Sequence, residues 1–411
     1  MTGEWLGLFE GWGIEIERMI VDRTSLDVRP IADELLRDVA QSDEWVEDFE
    51  DGPVGISNEL VAHVIEQKNV APAATIDELV EPFEASTKAI DDALRRHGAR
   101  LMPTAMHPWM CPSRETKIWP HESRPIYEAY HRLFDCHRHG WANLQSVHLN
   151  LSFDDDDAFG RLMAAVRLVL PIVPALAASS PVVDGRITGM LDSRIDVYRS
   201  NSSRVPAVSG EVIPEPIFRE DEYRRRISAR VTEELAAAGA DPLLLGSDWG
   251  NARGAIARFD RHAIEIRLID AQECPRADLA VCAAIGGAVR ALVEERWSDT
   301  NAQRAWASSA LVDLLARCSW SGPAARMPAE FVAMFGADGA VTTAGGLWKW
   351  LVSNTFAGPA ALEAPVERIL RDGTLAERIV RELAGDSGEE AMFGTYERLC
   401  DALVEGVSFG R

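Results

Sequence analysis

The sequence predicts an α+β protein whose sheet is antiparallel or mixed. Segments that alternate apolar and polar residues, as half-buried strands do, are interspersed with segments that have the apolar spacing of helices. The stretches between the strand-like segments are long and variable, whereas a doubly wound parallel sheet connects its strands by single helices of regular length. From about Pro275 onward the chain is almost entirely helix-like.

Alternation with period two predicts five strands, which cover residues 6–21, 60–68, 100–104, 143–153 and 255–270. Helical periodicity predicts eight helices, which cover residues 76–97, 124–139, 158–179, 220–238, 276–297, 302–318, 365–384 and 389–406. Four consecutive acids, Asp154 to Asp157, follow the fourth strand-like segment. We expect these acids to form a loop that can cap a helix.

The composition indicates a large core and a strongly acidic surface. The chain has 411 residues, of which 47% are hydrophobic, and its 42 basic and 65 acidic side chains give a formal net charge of -23. Because this surface repels nucleic acid and anionic lipid, we expect neither as a partner. Small-molecule substrates are the expected partners, and association into a homo-oligomer is left open.

Three features predict a cytoplasmic location. The six cysteines are scattered without a Cys-x-x-Cys pair, which is typical of reduced thiols in a cytosolic protein. The first residues, MTGEWLGLFEGWGIEIE, lack the basic start and the long apolar run of a signal peptide. The longest apolar stretch, residues 168–178, contains two prolines and is too short to span a membrane.

Polar residues recur at alternate positions within the strand-like segments, so that they project from one face while apolar residues project from the other. For any single strand, a solvated sheet face would account for this pattern. The polar positions are, however, acids, an imidazole and an arginine rather than threonine, lysine and glutamine. They are Glu15 and Glu17, Glu66, His148 with Asn150 and Ser152, and Glu265 with Arg267.

Carboxylates that converge on one surface raise one another's pKa unless a cation neutralises them. A carboxylate-rich site suits Mg²⁺ or Mn²⁺, and such ions commonly hold nucleotide phosphates. The residues alone therefore predict metal-dependent phosphate chemistry.

Six stretches of the sequence carry a family resemblance. They are GWGIEIERMIVD (residues 11–22), ELVAHVIEQKN (59–69), LQSVHLNLSF (144–153), SSPVVDGRITGMLDSRIDVYRS (179–200), DWGNAR (248–253) and HAIEIRLIDAQECPRAD (262–278). In this order they resemble the motifs of the glutamate–cysteine ligase superfamily, in the branch that includes bacterial carboxylate–amine ligases. The resemblance extends over about two thirds of the chain.

The resemblance implies a fold shared with glutamine synthetase, in which an antiparallel sheet curves into a funnel with helices on its outer face. Because the C-terminal part is helix-like, we expect residues 1–300 to form the catalytic domain and residues 301–411 to form a helical layer on it, either as a subdomain or within one continuous domain. The resemblance also implies an ATP-dependent reaction. The γ-carboxylate of glutamate or an analogue takes the γ-phosphate of ATP, and an amine such as cysteine then displaces phosphate to form an amide.

By match to the family's motifs, the expected Mg²⁺ ligands are Glu15, Glu17, Glu66, His148 and Glu265, with Glu59 as a further candidate. Because the alternation of Glu59 is out of step with that of Glu66, its participation would need a bulge. The resemblance assigns three arginines to catalysis. Arg267 and Arg253 would bind ATP phosphate or the acyl phosphate, and Arg194 would bind a substrate carboxylate or phosphate.

The sequence departs from the family pattern in two places. The second acidic strand continues with Gln67-Lys68-Asn69, where the family often has Thr-Pro, and residues 106–121 and 206–216, which would select the amine, have no readable match. Two alternatives therefore stay open. One is a phosphotransferase that acts on a carboxylate or guanidine in the same funnel, and the other is a non-catalytic descendant that binds a ligand or a protein.

Overall fold

The computed structural model describes residues 5–246, 250–356 and 358–410. Within them, the chain forms ten strands, of which three have only two residues. The strands are β1 Trp12–Asp22, β2 Asp48–Phe49, β3 Val54–Asn58, β4 Val64–Asn69, β5 Ala99–Met102, β6 Ser146–Ser152, β7 Val182–Val183, β8 Arg186–Ile187, β9 Ala255–Arg258 and β10 Ala263–Asp270.

The same residues form eighteen α-helices, eight of which follow β10. Those before it are α1 Ala32–Val39, α2 Val80–Arg95, α3 Pro112–Glu115, α4 Arg124–Phe134, α5 His139–Ala142, α6 Asp156–Val169, α7 Pro174–Ala177, α8 Ser193–Asn201, α9 Glu220–Tyr223 and α10 Ala229–Ala237. Those after it begin with the long α11 Pro275–Val293 and continue with α12 Thr300–Arg304, α13 Ser308–Ser321, α14 Ala329–Ala333, α15 Ala344–Thr355, α16 Ala360–Asp372, α17 Leu375–Glu382 and α18 Glu389–Glu405.

An eight-stranded sheet organises the molecule, and its paired strands are all antiparallel. The order is β2-β3-β4-β1-β6-β10-β9, and β5 pairs with β1. The long central strand β1 sets the register of its neighbours. Glu15 lies opposite His148 of β6, and Glu17 lies opposite Glu66 of β4. Because opposite residues of paired strands point to the same face, this register collects the acids of β1 and β4 and the imidazole of β6 on one side of the sheet.

The other face of the sheet is packed against helices. Ile14 and Ile16 of β1 are fully buried there, in a cluster that includes residues of α6 and α11. At Gly286 of α11, an added Cβ would lie 2.3 Å from the indole ring of Trp12, so the helix can approach β1 this closely only through a glycine. Gln67 of β4 also points to this side and donates to Ser86 Oγ of α2 at 2.9 Å.

The helices after residue 300 share their cores with the sheet. Leu347, Trp348 and Leu362 belong to the same hydrophobic cluster as Ile14, and the indole nitrogen of Trp348 donates to the Ile172 carbonyl at 2.7 Å. Tyr396 of α18 belongs to a second cluster together with Met19 of β1. Within the described residues, each hydrophobic cluster that the C-terminal helices join also contains residues of the sheet or its first helices.

The observed elements refine those expected from the sequence. The segment predicted as a strand from residue 60 begins only at Val64, because residues 60–63 form the turn that connects β3 to β4. The segment 255–270 is a hairpin of β9 and β10 rather than one strand. The predicted helix 124–139 ends at Phe134, since Asp135 adopts a left-handed conformation with φ of 57°. The acids after β6 cap a helix as expected: Asp155 accepts a hydrogen bond from the Ala158 amide at 2.7 Å.

Across the described part of the chain, every helix is too short or too polar to traverse a lipid bilayer.

Candidate active site

The polar face of the sheet lines a cavity of 740 Å³. Eight of the nine residues expected at the site contribute to its wall, and Arg253 does not. The eight are Glu15, Glu17, Glu59, Glu66, His148, Arg194, Glu265 and Arg267. They come from strands β1, β4, β6 and β10, from the β3–β4 turn and from helix α8, so the fold brings together residues far apart in the chain.

Glu15, Glu66 and His148 form the tightest group in the cavity. Each offers a ligand atom, and these atoms all lie within 4.8 Å of one another. His148 Nδ1 is 2.8 Å from Glu15 Oε2, and the Asn150 amide donates to Glu15 Oε1 at 3.3 Å. This geometry follows from the register, because Glu15 and His148 are directly opposite across β1 and β6.

Glu15 and His148 stabilise each other's charged forms. Burial would raise the pKa of Glu15, but the hydrogen bond and charge of His148, with the charges of Arg267 and Arg261, lower it to about 2. Burial and the charge of Arg267 oppose protonation of His148, yet Glu15 and Glu17 raise the pKa of the imidazole above its ordinary value.

Glu59 and Glu66 have no such counter-charge. Burial, then the charge of Glu17, raises the pKa of Glu59 to about 7. Burial, followed by the charges of Glu15, Glu59 and Glu17, raises the pKa of Glu66 well above its ordinary value. Glu59 lies in the turn between β3 and β4, so it reaches the cavity without the bulge that strand alternation would require.

Glu17 is held at the β6 end of the cavity. Its Oε2 accepts from the Ser146 amide at 2.6 Å and from the Ser146 hydroxyl at 2.9 Å. Its Oε1 is 3.8 Å from His148 Nε2. One carboxylate oxygen is thus committed to Ser146, which leaves the other directed toward the imidazole.

Glu265 is held between two arginines. Arg267 Nη1 donates to its Oε1 at 2.6 Å, and Arg258 Nη1 donates to its Oε2 at 3.0 Å. Its Oε1 is also 3.8 Å from His148 Nδ1. Both oxygens of Glu265 are therefore held by arginines, whereas Glu66 accepts from the Ser57 hydroxyl and Glu59 from the Leu60 amide, both at 3.3 Å.

Arg194 lines the cavity but is already engaged. Its Nε donates to Asp270 Oδ1 at 2.5 Å, and its terminal nitrogens reach the Arg267 carbonyl at 3.4 and 3.5 Å. The side chain is 2% exposed. The contacts fix the backbone that carries Arg267, so in this structure Arg194 acts on the cavity mainly through Arg267.

Arg253 lies outside the cavity wall, in contrast with the sequence expectation that it faces phosphate. Its Nε and Nη2 donate to Glu215 at 2.6 and 2.7 Å, and its Nη1 donates to the Ala207 carbonyl at 3.0 Å. These contacts tie the segment after α8 to the start of β9. Asp248 and Trp249, which belong to the same motif, lie outside the described residues.

The structure adds cavity residues that sequence reasoning did not identify. Arg258 and Arg261 come from strand β9 and the turn after it, within residues 254–261, which fall between two of the family-like motifs. A wall without charge faces the acids and consists of Tyr127, Tyr130, Trp141, Leu144, Tyr198, Asn201, Val208, Asn251, Ala252 and Ile256, among others. Apart from Ile256 of β9, these residues lie on helices and loops without a period-two pattern, so they could not be identified from strand alternation.

Comparisons with known proteins identify the family and the fold of the chain. The profile of glutamate-cysteine ligase family 2 (GCS2) matches residues 12–402. An uncharacterized protein of Archaeoglobus fulgidus is 36% identical over 266 residues, which are 65% of this chain and 70% of that protein. A glutamate–cysteine ligase of Haloquadratum walsbyi is 26% identical over 197 residues, 46% of this chain and about half (48%) of that relative.

Among solved structures, the crystal structure of glutamate–cysteine ligase from Francisella tularensis in complex with AMP superimposes with a TM-score of 0.65. The superposition covers 98% of this chain and 90% of that chain at 11% sequence identity, and it establishes a common fold. The family profile covers nearly the whole chain and includes every strand of the large sheet. The chain therefore belongs to glutamate-cysteine ligase family 2, a family of carboxylate–amine ligases.

Proposed function

We propose that this protein is an ATP- and Mg²⁺-dependent ligase that joins the γ-carboxylate of glutamate, or of an analogue, to an amine through an acyl phosphate. The observation that carries the proposal is the convergence of Glu15, Glu66 and His148 to within 4.8 Å in a cavity that also contains Arg267. The name of the family supports glutamate as the acid.

The donor set fits a hard divalent cation. Glu15 and Glu66 supply carboxylate oxygens, and His148 supplies an imidazole nitrogen. Burial, and then the charges of neighbouring acids, raise the pKa values of Glu59 and Glu66, and a bound divalent cation would offset that repulsion. We propose Glu15, Glu66 and His148 as the primary ligands, with Glu17, Glu59 and Glu265 as further ligands. When bound, Mg²⁺ would neutralise phosphate oxygens near the transferring phosphoryl group.

Arg267 is the proposed donor to the phosphoryl group in transfer. Its side chain is 28% exposed, so it can reach a substrate, whereas that of Arg194 is 2% exposed. Arg194 would keep Arg267 in place through the Arg267 carbonyl. Because charge spreads over the equatorial oxygens of a transferring phosphoryl, a fixed guanidinium stabilises the transition state more than the ground state.

The reaction would proceed in two steps. First, the γ-carboxylate oxygen forms a bond to the γ-phosphorus of ATP and the bond to the β-phosphate bridging oxygen breaks, which gives an acyl phosphate and ADP. Second, the amine nitrogen attacks the acyl carbon, inorganic phosphate leaves, and the amine loses a proton. Phosphorylation is needed because a carboxylate at neutral pH has no adequate leaving group.

We propose an amine as the second substrate without restricting it to cysteine. The Haloquadratum walsbyi relative is named a glutamate–cysteine ligase, and that name supports cysteine as one candidate. The two stretches expected to select the amine, residues 106–121 and 206–216, contribute only Val208 to the cavity wall among the described residues. Selection of the amine would then fall to the uncharged wall, which includes Tyr127, Tyr130 and Tyr198.

The test is ADP release by purified protein with Mg²⁺, ATP, one acid and one amine, screened over pairs. We expect ADP release to require both the acid and the amine. The product should have a mass equal to the sum of the acid and the amine minus one water. Hydroxylamine should trap the acyl phosphate when the amine is omitted. A phosphorylated product without an amide would indicate a phosphotransferase instead, and no ADP with any pair would contradict the ligase.

A further inference from the structure

Five cationic side chains of the described residues line the cavity, and carboxylates hold four of them closely. Lys68, Arg194 and Arg267 each donate to a carboxylate at 2.5 to 2.6 Å, and Arg258 donates to Glu265 at 3.0 Å. Arg261 differs. Its closest carboxylate oxygens are 3.7 and 3.8 Å away, its side chain is 57% exposed, and no hydrogen bond to its guanidinium is found within the described residues.

Arg258 is the last residue of β9, and Arg261 lies in the turn of residues 259–262 that follows it. The turn residue His262 has a φ of 49°, and its carbonyl accepts from the Phe153 amide at 2.9 Å. The rings of His262 and Phe259 lie 5.5 and 6.0 Å from the ring of Phe153. The aromatic side chains therefore fix the turn, while the two arginines line the cavity.

We propose that the β9–β10 hairpin is a phosphate-binding element in which Arg261 binds the terminal phosphates of a nucleoside triphosphate. This inference rests on the proposed function and adds a binding role for residues 254–261, which none of the family-like motifs covers. Arg258 keeps its ion pair with Glu265 and holds the hairpin in position.

The position of Arg261 supports this role. Its Nη1 is 3.7 Å from Glu15 Oε1, and Glu15 belongs to the group proposed to hold the cation. A phosphate bound beside that cation lies within reach of the Arg261 guanidinium, whose planar fork suits phosphate oxygens. Because Arg261 has only long contacts to carboxylates, it can turn to a ligand without breaking a close ion pair.

Charge balance gives a second reason. The cavity wall contains seven acidic side chains, Glu15, Glu17, Glu47, Asp48, Glu59, Glu66 and Glu265. These acids repel a triphosphate that enters the cavity. Four of the five lysine and arginine side chains in the wall are already in close ion pairs with carboxylates. Among the lysine and arginine side chains that the structure describes in this wall, Arg261 has no close ion pair, so its charge can add to that of Arg267 and offset the repulsion from the exposed side.

The test compares the dissociation constants of Mg·ATP and of AMP, measured by titration calorimetry on wild type, Arg261→Gln, Arg261→Lys and Arg371→Gln. The control Arg371 is 67% exposed on α16 and does not line the cavity, so its variant makes the same change in charge elsewhere. We expect Arg261→Gln to raise the dissociation constant of Mg·ATP about tenfold, as the loss of a charge-assisted hydrogen bond does. The dissociation constant of AMP should stay within about twofold of the wild-type value. Arg261→Lys should recover part of the loss.

Four outcomes would overturn the inference. The first is an unchanged affinity of Arg261→Gln for ATP, and the second is an equal loss of affinity for ATP and AMP in that variant. The third is an equal loss of ATP affinity in Arg371→Gln, and the fourth is an ATP affinity of Arg261→Lys no higher than that of Arg261→Gln. Thermal unfolding of each variant confirms that the protein is folded before titration. Wild type that binds neither nucleotide would refute the proposed function itself, and the hairpin inference with it, whereas normal wild-type binding with an unaffected Arg261→Gln refutes the hairpin inference alone.

Discussion

At the scale of single residues, the cavity combines carboxylates that have a counter-charge with carboxylates that lack one. Glu15 is paired with His148, and Glu265 is held between Arg267 and Arg258, whereas the pKa of Glu66 is raised by burial and by neighbouring acids. Without a bound cation, an ionised Glu66 costs folding free energy. This cost is expected where a site is built for a ligand rather than for stability.

Replacing Glu66 by glutamine should therefore stabilise the metal-free protein. The raised pKa means that the folded state favours protonated Glu66, so the stability that this group contributes is lost as the pH rises through its folded-state pKa. We expect Glu66→Gln to unfold at a higher temperature than wild type at pH 8 in EDTA, with a difference that shrinks toward pH 4.

The same variant should lose the response to Mg²⁺. Added Mg²⁺ should raise the unfolding temperature of wild type and have little effect on Glu66→Gln, because ligand binding stabilises only the folded state that binds it. Glu363→Gln, an exposed acid on α16, is the matched control and should respond as wild type does. A Glu66→Gln protein that is less stable than wild type in EDTA would mark this side chain as structural.

The lowered pKa of His63 predicts that stability changes with pH in the direction opposite to that described for Glu66. The ring is fully buried, with Nε2 2.8 Å from the Ala142 carbonyl. Burial, and then the nearby His107, lowers its pKa from 6.5 to about 4. The unfolded chain therefore binds a proton that the folded state does not, and stability is lost as the pH falls from about 6.5 toward 4, by up to roughly 3 kcal/mol.

The measurement compares urea unfolding of wild type and His63→Gln at pH 7.5, 6, 5 and 4.5. Glutamine keeps a donor for the Ala142 carbonyl but does not titrate. We expect the free-energy difference between the two proteins to shift in favour of the variant as the pH falls. A difference that stays constant with pH would show that the ring charges without cost in the folded state.

At the scale of elements, the sequence predicted best what local periodicity encodes. The alternation in GIEIE and VHLNL placed Glu15, Glu17 and His148 on one face, and antiparallel pairing brought them together. The short strand β3 and the helices α1 and α8 were not predicted, since few residues carry their pattern. The commitment of Arg253 to Glu215 could not be predicted either, because the partner lies 38 residues away on another segment.

The contact between α11 and β1 provides a prediction at this scale. A Cβ at Gly286 would lie 2.3 Å from the Trp12 ring, so Gly286→Ala should overpack the interface and cost about 1–3 kcal/mol. Gly394 of α18 is the matched control, because an added Cβ there meets only Arg398 Nη1, at 3.6 Å. Gly394→Ala should stabilise by roughly 0.5–1 kcal/mol through helix propensity. Chemical unfolding measures the change in the free energy of unfolding for each variant. Equal changes in the two variants would contradict overpacking at Gly286.

At the scale of the whole molecule, the C-terminal helices pack against the sheet and its first helices. Arg378 of α17 connects them through two buried contacts. It donates to Glu273, which follows β10, at 2.7 and 3.1 Å, and to the Phe409 carbonyl at 2.8 Å. Because Phe409 also packs in the cluster that contains Met19 of β1, the end of the chain is fixed to the central strand. We therefore expect residues 5–410 to unfold in one cooperative transition.

Removing Arg378 tests this connection. Its side chain and that of Glu273 are 4% and 2% exposed, so Arg378→Met leaves a buried carboxylate unpaired and should cost about 3–5 kcal/mol. The double variant Arg378→Met/Glu273→Leu removes the unpaired charge and should recover most of that loss. If the C-terminal helices belong to the same cooperative unit, calorimetry of Arg378→Met will show one transition at a lower temperature. Two separated transitions, with only the smaller one shifted, would instead mark residues 301–410 as an independent subdomain.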